Sequence, residues 1–388
     1  MQRTVENIFF ALIRFEINGT ELGDDIKNLI TPEMLPALFK LSKKHDLAHL
    51  VGDALDKNGL LPDESEAQKR FLQERNMAIY RYEQMQYELE GICEALENAK
   101  IPFIPLKGSV LRQYYPEAWM RTSCDIDVLV PEDSAQAARE YLVEVLHYVC
   151  GEQTTHDISL YAESGVHLEL HFDLIEDYVS ESNKQVLSNI WEVCSLKTGA
   201  KYQREMSDEV FYFYHMAHMA KHFKNGGCGI RPILDDWILN QRNENEQARQ
   251  SLLQKGGIYT FAKQIWQLSA CWFSGMPHTP FSLEMEQYIL KGGVYGNSEN
   301  RIAVQQVKKG GKLRNVLSRI FIPYNLLKTQ YPILEKYKIM FPFCQIARWW
   351  CLLFGKRAKM AKRELKMTMH LSNDKKTRVE RLLHELEL

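Results

Sequence analysis

Apolar residues recur every three to four positions from Val5 to Phe15, Pro32 to Lys44 and Glu66 to Ala99, with Gly19, Gly59 and Pro62 between the runs. This spacing predicts amphipathic helices through the first hundred residues. The period changes at Ile101. Ile101 to Leu106 reads as a short strand ending at Lys107-Gly108, Val110 to Tyr115 as a helical turn or two, and Asp125 to Val130 as a second strand. Asp133 is the expected cap of a helix reaching about His147. Tyr148 to Gly151, Ile158 to Ala162 and His167 to Phe172 read as further strands, the last two a hairpin around Ser164-Gly165. After Leu174 helices return, among them Asp208 to Phe223 and Pro232 to Asn240, and no later segment alternates. Gly292 to Gly311 reads as an exposed connection. The pattern predicts an α+β fold, a small mixed sheet embedded between N-terminal and C-terminal helical regions. The expected divisions are a helical region at 1–84, the α+β core at 85–175, a helical region at 176–300 that completes a cleft, and a basic helical region at 301–388.

Composition changes this picture little, and charge changes it more. With 388 residues, 45% hydrophobic and 25% charged, the chain has ordinary globular composition, which excludes disorder throughout. Its eight cysteines form no C-x-x-C pair and no secretory pattern opens the sequence, so a reducing cytoplasm is the expected setting. The longest apolar stretch, Ile339 to Gly355, is broken by Gln345 and Arg348 and predicts no transmembrane helix. Residues 1–300 hold 28 Lys+Arg against 44 Asp+Glu (net −16), whereas residues 301–366 hold 16 against 2 (net +14).

The candidate chemistry lies in the core. Residues two apart on a strand share a face, so Asp125 and Asp127 converge on one spot while Ile126, Val128 and Val130 face the interior. Two acids in one small volume call for a divalent cation, and Mg²⁺ held by carboxylates together with substrate phosphates is the usual arrangement in phosphoryl transfer. Glu169, between Leu168 and Leu170, can supply a third ligand from a neighbouring strand. Gly108, followed by Ser109, lets backbone approach phosphate oxygens at a helix start. Lys107 and Arg121 are candidates to neutralise a triphosphate. His167 and His171 share the face of Glu169.

These residues carry a resemblance. Lys107-Gly108, Arg121, Asp125-Ile126-Asp127-Val128-Leu129-Val130 and Glu169-Leu170-His171 resemble the bacterial family of uncharacterised nucleotidyltransferases, a branch of the polymerase-β-like superfamily. His218-x-x-Lys221-His222, Arg231 and Asp235 look like the helical motif that follows its catalytic core, and Tyr331-Pro332 through Arg348-Trp349 like its C-terminal region. The resemblance implies a nucleotidyltransferase that moves an NMP from an NTP to a hydroxyl acceptor and releases pyrophosphate. It implies two Mg²⁺ ions, with Mn²⁺ as a substitute, held by Asp125, Asp127 and Glu169. One would chelate the triphosphate; the other, with Glu169 among its ligands, would activate the acceptor hydroxyl. Lys107, Gly108, Ser109 and Arg121 would bind the nucleotide. His171, His218, Lys221, His222, Arg231 and Asp235 would form the acceptor or phosphate side. Gly108 stands 17 residues before Asp125, a longer interval than in many minimal members, and Cys124 stands where those often carry serine.

The blander readings stand beside these. His218 and His222 have the spacing of a zinc pair, but Met219, Ala220 and Lys221 between them lack the glutamate base of a metalloprotease, which argues against zinc. Arg231 and Asp235, one helical turn apart, read as a simple pair. The basic run 356–366, after Trp349 and Trp350, reads as a segment docked on the acidic body, with a peripheral anionic membrane or nucleic acid as the less favoured partner. A protein-modifying AMP transferase of toxin type, and a non-catalytic module binding nucleotide or an anionic surface, are the alternative functions.

Overall fold

The computed structural model describes residues 2–174, 180–294, 296–354 and 358–388. Residue 175, the expected end of the core, and Lys356 and Arg357 of the basic run lie outside the described residues. Two compact units are present, Met1–Lys221 with Gly229–Glu286, and His222–Cys228 with Gln287–Leu388.

The first unit begins with helices α1 (Gln2–Asn18), α2 (Asp24–Lys27), α3 (Leu35–Lys44), α4 (Ala48–Lys57) and α5 (Glu66–Asn98). Helix α5 starts where the Ser65 side chain accepts from the Gln68 amide, and it buries Phe71, Ala78, Met85, Leu89, Ile92, Ala95 and Leu96 along one stripe. It runs unbroken through residues 84 and 85. Five strands follow, β1 (Ile104–Pro105), β2 (Asp125–Leu129), β3 (Val149–Gln153), β4 (Asp157–Tyr161) and β5 (His167–His171), with α6 (Gly108–Leu111) and α7 (Ala135–Leu146) between them. Their spatial order is β1-β2-β5-β4-β3; β2 and β5 run parallel and the other pairs antiparallel. The expected hairpin is β4 with β5. On one face Ile126, Val128, Ile158, Leu160, Leu168 and Leu170 pack with Met85, Leu89 and Ile92 of α5 and Ala138 and Leu142 of α7. The strict alternation of β2 and β5 therefore turns every acid to the opposite face.

Four local expectations are corrected. The strand expected over Ile101 to Leu106 is regular only at Ile104 and Pro105, which pair with β2; Phe103 bridges Gln203, the Ile101 amide donates back to the Leu96 carbonyl of α5, and the Leu106 amide donates to the Asp127 carbonyl (2.9 Å) as the chain turns into α6. Asp133 lies in a 3₁₀ turn (Glu132–Ser134), where it accepts from the Ser134 hydroxyl and caps nothing. A two-stranded ribbon, β6 (Ser195–Leu196) with β7 (Arg204–Glu205), interrupts the later helices, and two-residue strands are too short to alternate visibly. The interval Gly292 to Gly311 contains a helix, Ser298–Lys308, capped by the Asn297 side chain and burying Ile302, Ala303 and Val304.

The first unit is completed by α8 (Glu181–Leu187), α9 (Ile190–Val193), most of α10 (Asp208–Lys224), α11 (Arg231–Gln241), α12 (Glu246–Lys255), α13 (Tyr259–Phe273) and the start of α14 (Pro280–Lys291). Among them Asp236 is wholly buried and accepts from the Tyr212 hydroxyl (2.9 Å), the Ser269 hydroxyl (2.9 Å) and the Asn240 amide (2.8 Å). Burial outweighs these donors and pushes the carboxyl up to about 7. The folded state thus holds a proton that the unfolded chain releases near pH 4, so this group's contribution to stability is lost as pH rises from about 4 to 7. Asp236→Asn is expected to match the parent near pH 4 and to exceed it at pH 8 by up to about 4 kcal/mol, read from urea melts at both pH values.

The second unit holds α15 (Ser298–Lys308), α16 (Lys312–Ile320), α17 (Tyr324–Gln330), α18 (Ile333–Lys336), α19 (Phe341–Phe354), α20 (Ala358–His370) and α21 (Asn373–Glu385). Its C-terminal helices dock on α15. Arg301 pairs with Glu364 (2.8 Å), Lys375 with Glu299 (2.5 Å), and the Gln306 amide donates to the Thr368 carbonyl (2.8 Å). No helix among the described residues is long and apolar enough to cross a membrane.

Candidate active site

The parallel pairing of β2 with β5 is in register, so that Asp125 stands opposite His167, Asp127 opposite Glu169 and Leu129 opposite His171. Residues opposite one another on a sheet face are neighbours. Two sets of donor atoms lie within 4.8 Å of one another, Asp125 with His167 and Glu169, and Asp127 with Glu169 and His171. Glu169 belongs to both. Lys107 Nζ donates to Asp127 Oδ1 at 2.6 Å and lies 4.0 Å from Glu169 Oε2; His171 Nε2 is 2.9 Å from Asp127 Oδ1 and 3.4 Å from Glu169 Oε2.

The three carboxylates are served unequally. Burial opposes ionisation of Asp127, but Lys107 and His171 outweigh it and hold the group below the ordinary carboxylate range. Burial pushes Asp125 up, and the charges of Asp127 and Glu169 push it further. No side chain among the described residues donates to Asp125 or pairs with it. The His171 imidazole is buried, which lowers its affinity for a proton, yet its hydrogen bonds to Asp127 and Glu169 raise it above the ordinary histidine value. The His167 ring stacks on Tyr161, and its Nε2 is buried with no hydrogen-bond partner.

The turn that delivers Lys107 is strained. Lys107 adopts φ 45° and ψ −119°, and the Ser109 amide closes the turn on the Leu106 carbonyl at 3.1 Å. A non-glycine residue there costs about 1–3 kcal/mol, which the ion pair to Asp127 offsets. A Cβ on Gly108 would lie 3.1 Å from both Cβ and Oγ of Ser123, so close packing explains the glycine. Arg112 fastens the turn from behind, donating to the Gly108 carbonyl (3.0 Å) and the Ser123 hydroxyl (2.8 Å). Burial, and then the charge of Arg121, push its guanidinium down to about 10. The Ser109 hydroxyl is buried without a partner beside a cleft of about 780 Å³, which Arg112, Arg204 and Arg242 also line. None of the three guanidinium groups has a carboxylate within 4 Å among the described residues.

A family model described as uncharacterised nucleotidyltransferase matches residues 32–274. The chain belongs to that family. The match spans the acids, the glycine turn, α10 and α11 of this nucleotidyltransferase, and it ends before the second unit's long segment. No curated protein and no solved structure matches the chain.

The remaining candidates divide. Arg121 is buried and spends its guanidinium on Asp235, with Nε to Oδ1 at 2.8 Å and Nη2 to Oδ2 at 3.0 Å; Tyr115 donates to the same carboxylate at 2.7 Å. Arg121 is thus held as a structural clamp, not as a free cation for phosphate. Arg231 pairs with Asp46 at 2.9 Å, so the Arg231–Asp235 pairing read from helical spacing is replaced by two longer-range pairs. Thr122 donates to the same Asp46 carboxylate at 2.9 Å, so both pairs pin the loop entering β2. On α10, Lys221 is half-buried and pushed down to about 8 by burial and then by Lys107, with Glu169 and Asp157 opposing. It therefore lies in the electrostatic surroundings of the acid cluster. His218 is half-buried, its ring 6.4 Å from that of Tyr214. His215, one turn before His218, is buried and bonds the Pro232 carbonyl through Nε2 at 3.0 Å. His222 follows Lys221 on α10 and falls in the second unit.

Tyr214 was not legible as a site residue. It is buried, and after the burial itself the charges of Lys107, Asp127 and Glu169 are the ones that bear on its hydroxyl. An aromatic residue in a helical run reads as core, and here the ring is core while its hydroxyl faces the charged cluster.

Proposed function

We propose that this nucleotidyltransferase transfers a nucleoside monophosphate from an NTP to a hydroxyl acceptor, on a small molecule, a sugar or a protein, with Asp125, Asp127 and Glu169 holding Mg²⁺. The observation that carries the reading is the convergence of these carboxylates across two in-register strands, where burial and the neighbouring charges of Asp127 and Glu169 push Asp125 up against the more distant pull of Lys107 and Arg231. The donor set fits such a metal. Carboxylate oxygens suit Mg²⁺, and the adjoining His167 and His171 suit Mn²⁺ as a substitute. When bound, the metal would neutralise triphosphate charge and lower the pKa of an acceptor hydroxyl.

The chain's own residues supply the rest. Lys107, anchored by Asp127, places a cation at the mouth of the glycine turn, where it can pair with an anionic phosphate. The cleft next to that turn is lined by Arg112, Arg204 and Arg242 and equally by Glu90, Glu205, Asp208 and Glu244, so Lys107 and the turn carry the support for an anionic reactant. Glu169, partly exposed and shared by both donor sets, is the group best placed to take the acceptor's proton. Displacement at the α-phosphate then needs positioning and charge neutralisation more than covalent help from the protein.

Pyrophosphate release measured with each of the four NTPs, with and without Mg²⁺ and in the presence of cell lysate, tests the reading; no release under any of these conditions would sink it. Label on a protein band would assign a protein acceptor. Glu169→Gln is expected to lower kcat and kcat/KM together by about 10²-fold or more while NTP affinity is unchanged. A change in KM alone would contradict the role given to Glu169.

A further inference from the structure

Helix α19 is built inside out. Its polar side chains spend their hydrogen bonds on the protein: the Gln345 amide donates to the Ile322 carbonyl (2.7 Å), and Arg348 (3.2 Å) and the Trp349 indole (2.7 Å) donate to the Ile320 carbonyl. Gln345 is 5% exposed. The outward positions are apolar. Phe343, Ile346, Trp350 and Phe354, at intervals of three, four and four, are 62%, 56%, 67% and 69% exposed, and Ile339 just ahead of the helix is 82% exposed. The Trp350 and Phe354 rings touch along this stripe, with centroids 4.7 Å apart. A surface helix of a water-bathed protein shows the reverse arrangement, and a contiguous exposed apolar face marks an interaction site.

Charge selects the occupant. Residues 301–366 carry 16 Lys+Arg and only two acids, Glu335 and Glu364, and both acids are already paired, with Lys328 (3.1 Å) and Arg301 (2.8 Å). Exposed Lys336 and Lys338 precede α19, and exposed Lys359, Lys362 and Arg363 follow it. A second copy of the same basic face would be repelled. At 14 residues the helix is about 21 Å long, too short for a hydrocarbon core of about 30 Å, so it can lie on a bilayer but not span one. Aromatic side chains flanked by cations are the composition of helices that rest at an anionic lipid interface.

We propose that the exposed face of α19 seats this protein on an anionic membrane surface, with Phe343, Ile346, Trp350 and Phe354 entering the headgroup boundary and the flanking lysines and arginines pairing with lipid phosphates and carboxylates. The inference stands apart from the nucleotidyl-transfer reading, because none of these residues belongs to the acid cluster.

Co-sedimentation of the full chain with phosphatidylcholine vesicles, and with vesicles also containing phosphatidylserine, tests it. Expected is at least tenfold tighter association with the anionic vesicles, weakened by added salt. The triple variant Phe343→Ser, Trp350→Ser, Phe354→Ser is expected to lose that association at least tenfold with an unchanged melting temperature, since these side chains are already exposed. Lys362→Glu with Arg363→Glu is expected to reduce it without touching the stripe. Absence of binding to both vesicles, equal binding by the triple variant, or a dimer in sedimentation equilibrium that the triple variant abolishes would overturn the proposal.

Discussion

Asp125→Asn and Asp127→Asn are each expected to lower NTP turnover by about 10³-fold or more, yet to move the melting temperature in EDTA in opposite directions. Both remove a metal ligand, so turnover falls alike. Their surroundings without metal differ. Asp125 has no side chain in direct contact as an ion pair among the described residues, and burial with two neighbouring carboxylates outweighs the pull of Lys107 and Arg231, so the neutral amide relieves a cost and Asp125→Asn melts higher. Asp127 is 2% exposed and anchors Lys107 at 2.6 Å and His171 at 2.9 Å. Its amide takes the 2.6 Å partner from a partly buried ammonium, whose next carboxylate is Glu169 at 4.0 Å, and the contact from a buried imidazole, a loss of about 3 kcal/mol, so Asp127→Asn melts lower. Two like acids on one strand face suggest from sequence alone that removing either would relieve repulsion; the structure restricts that relief to Asp125. Differential scanning calorimetry in EDTA, beside a pyrophosphate assay, checks both halves. Equal shifts for the two variants would contradict the unequal charge compensation.

Breaking the Arg121–Asp235 pair is expected to cause the largest loss of stability from a single substitution. Asp235 is 1% exposed and takes two guanidinium bonds and the Tyr115 hydroxyl. Asp235→Asn strands the Arg121 guanidinium, and Arg121→Met strands the carboxylate, each at a cost of about 3–5 kcal/mol. Removing both together leaves no unpaired buried charge, so the double variant should lose less than the sum of the singles. Midpoints of urea unfolding for the three variants measure this directly. Strict additivity would show that the two groups do not act as a pair. Turnover should fall as well, because the clamp fixes the loop that feeds Asp125 into β2.

The acids were legible because isolated charges in otherwise apolar strands have few explanations, and the period of two settles which face they share. Asp125, Asp127 and Glu169 lie together as that parity requires, and the in-register parallel pairing brings the two strands' acids side by side. Partners distant in sequence left no such trace. Arg121 meets Asp235 across 114 residues and Arg231 meets Asp46 across 185, and neither intervening sequence carries a local mark of the pairing. Helical spacing suggested the wrong partner, since Arg231 and Asp235 are one turn apart while each is drawn to a charge on another element. Ribbon β6–β7 escaped because two residues cannot display a period. The helix between Gly292 and Gly311 was signalled by Asn297 three residues before Asn300, but the flanking glycines outweighed the cap. In α19 the apolar run was visible, whereas which side of it faces outward depends on where Gln345 and Trp349 find their carbonyls.

The most direct measurement of the central claim uses two labels of one NTP. The protein is incubated with Mg²⁺, cell lysate and NTP carrying ³²P at either the α- or the γ-position, alongside Asp125→Asn as control. Nucleotidyl transfer predicts α-label in a new covalent product and γ-label only in pyrophosphate, with both signals lost in Asp125→Asn. Transfer of the γ-label to the acceptor, or an α-labelled product made equally well by Asp125→Asn, would contradict the account.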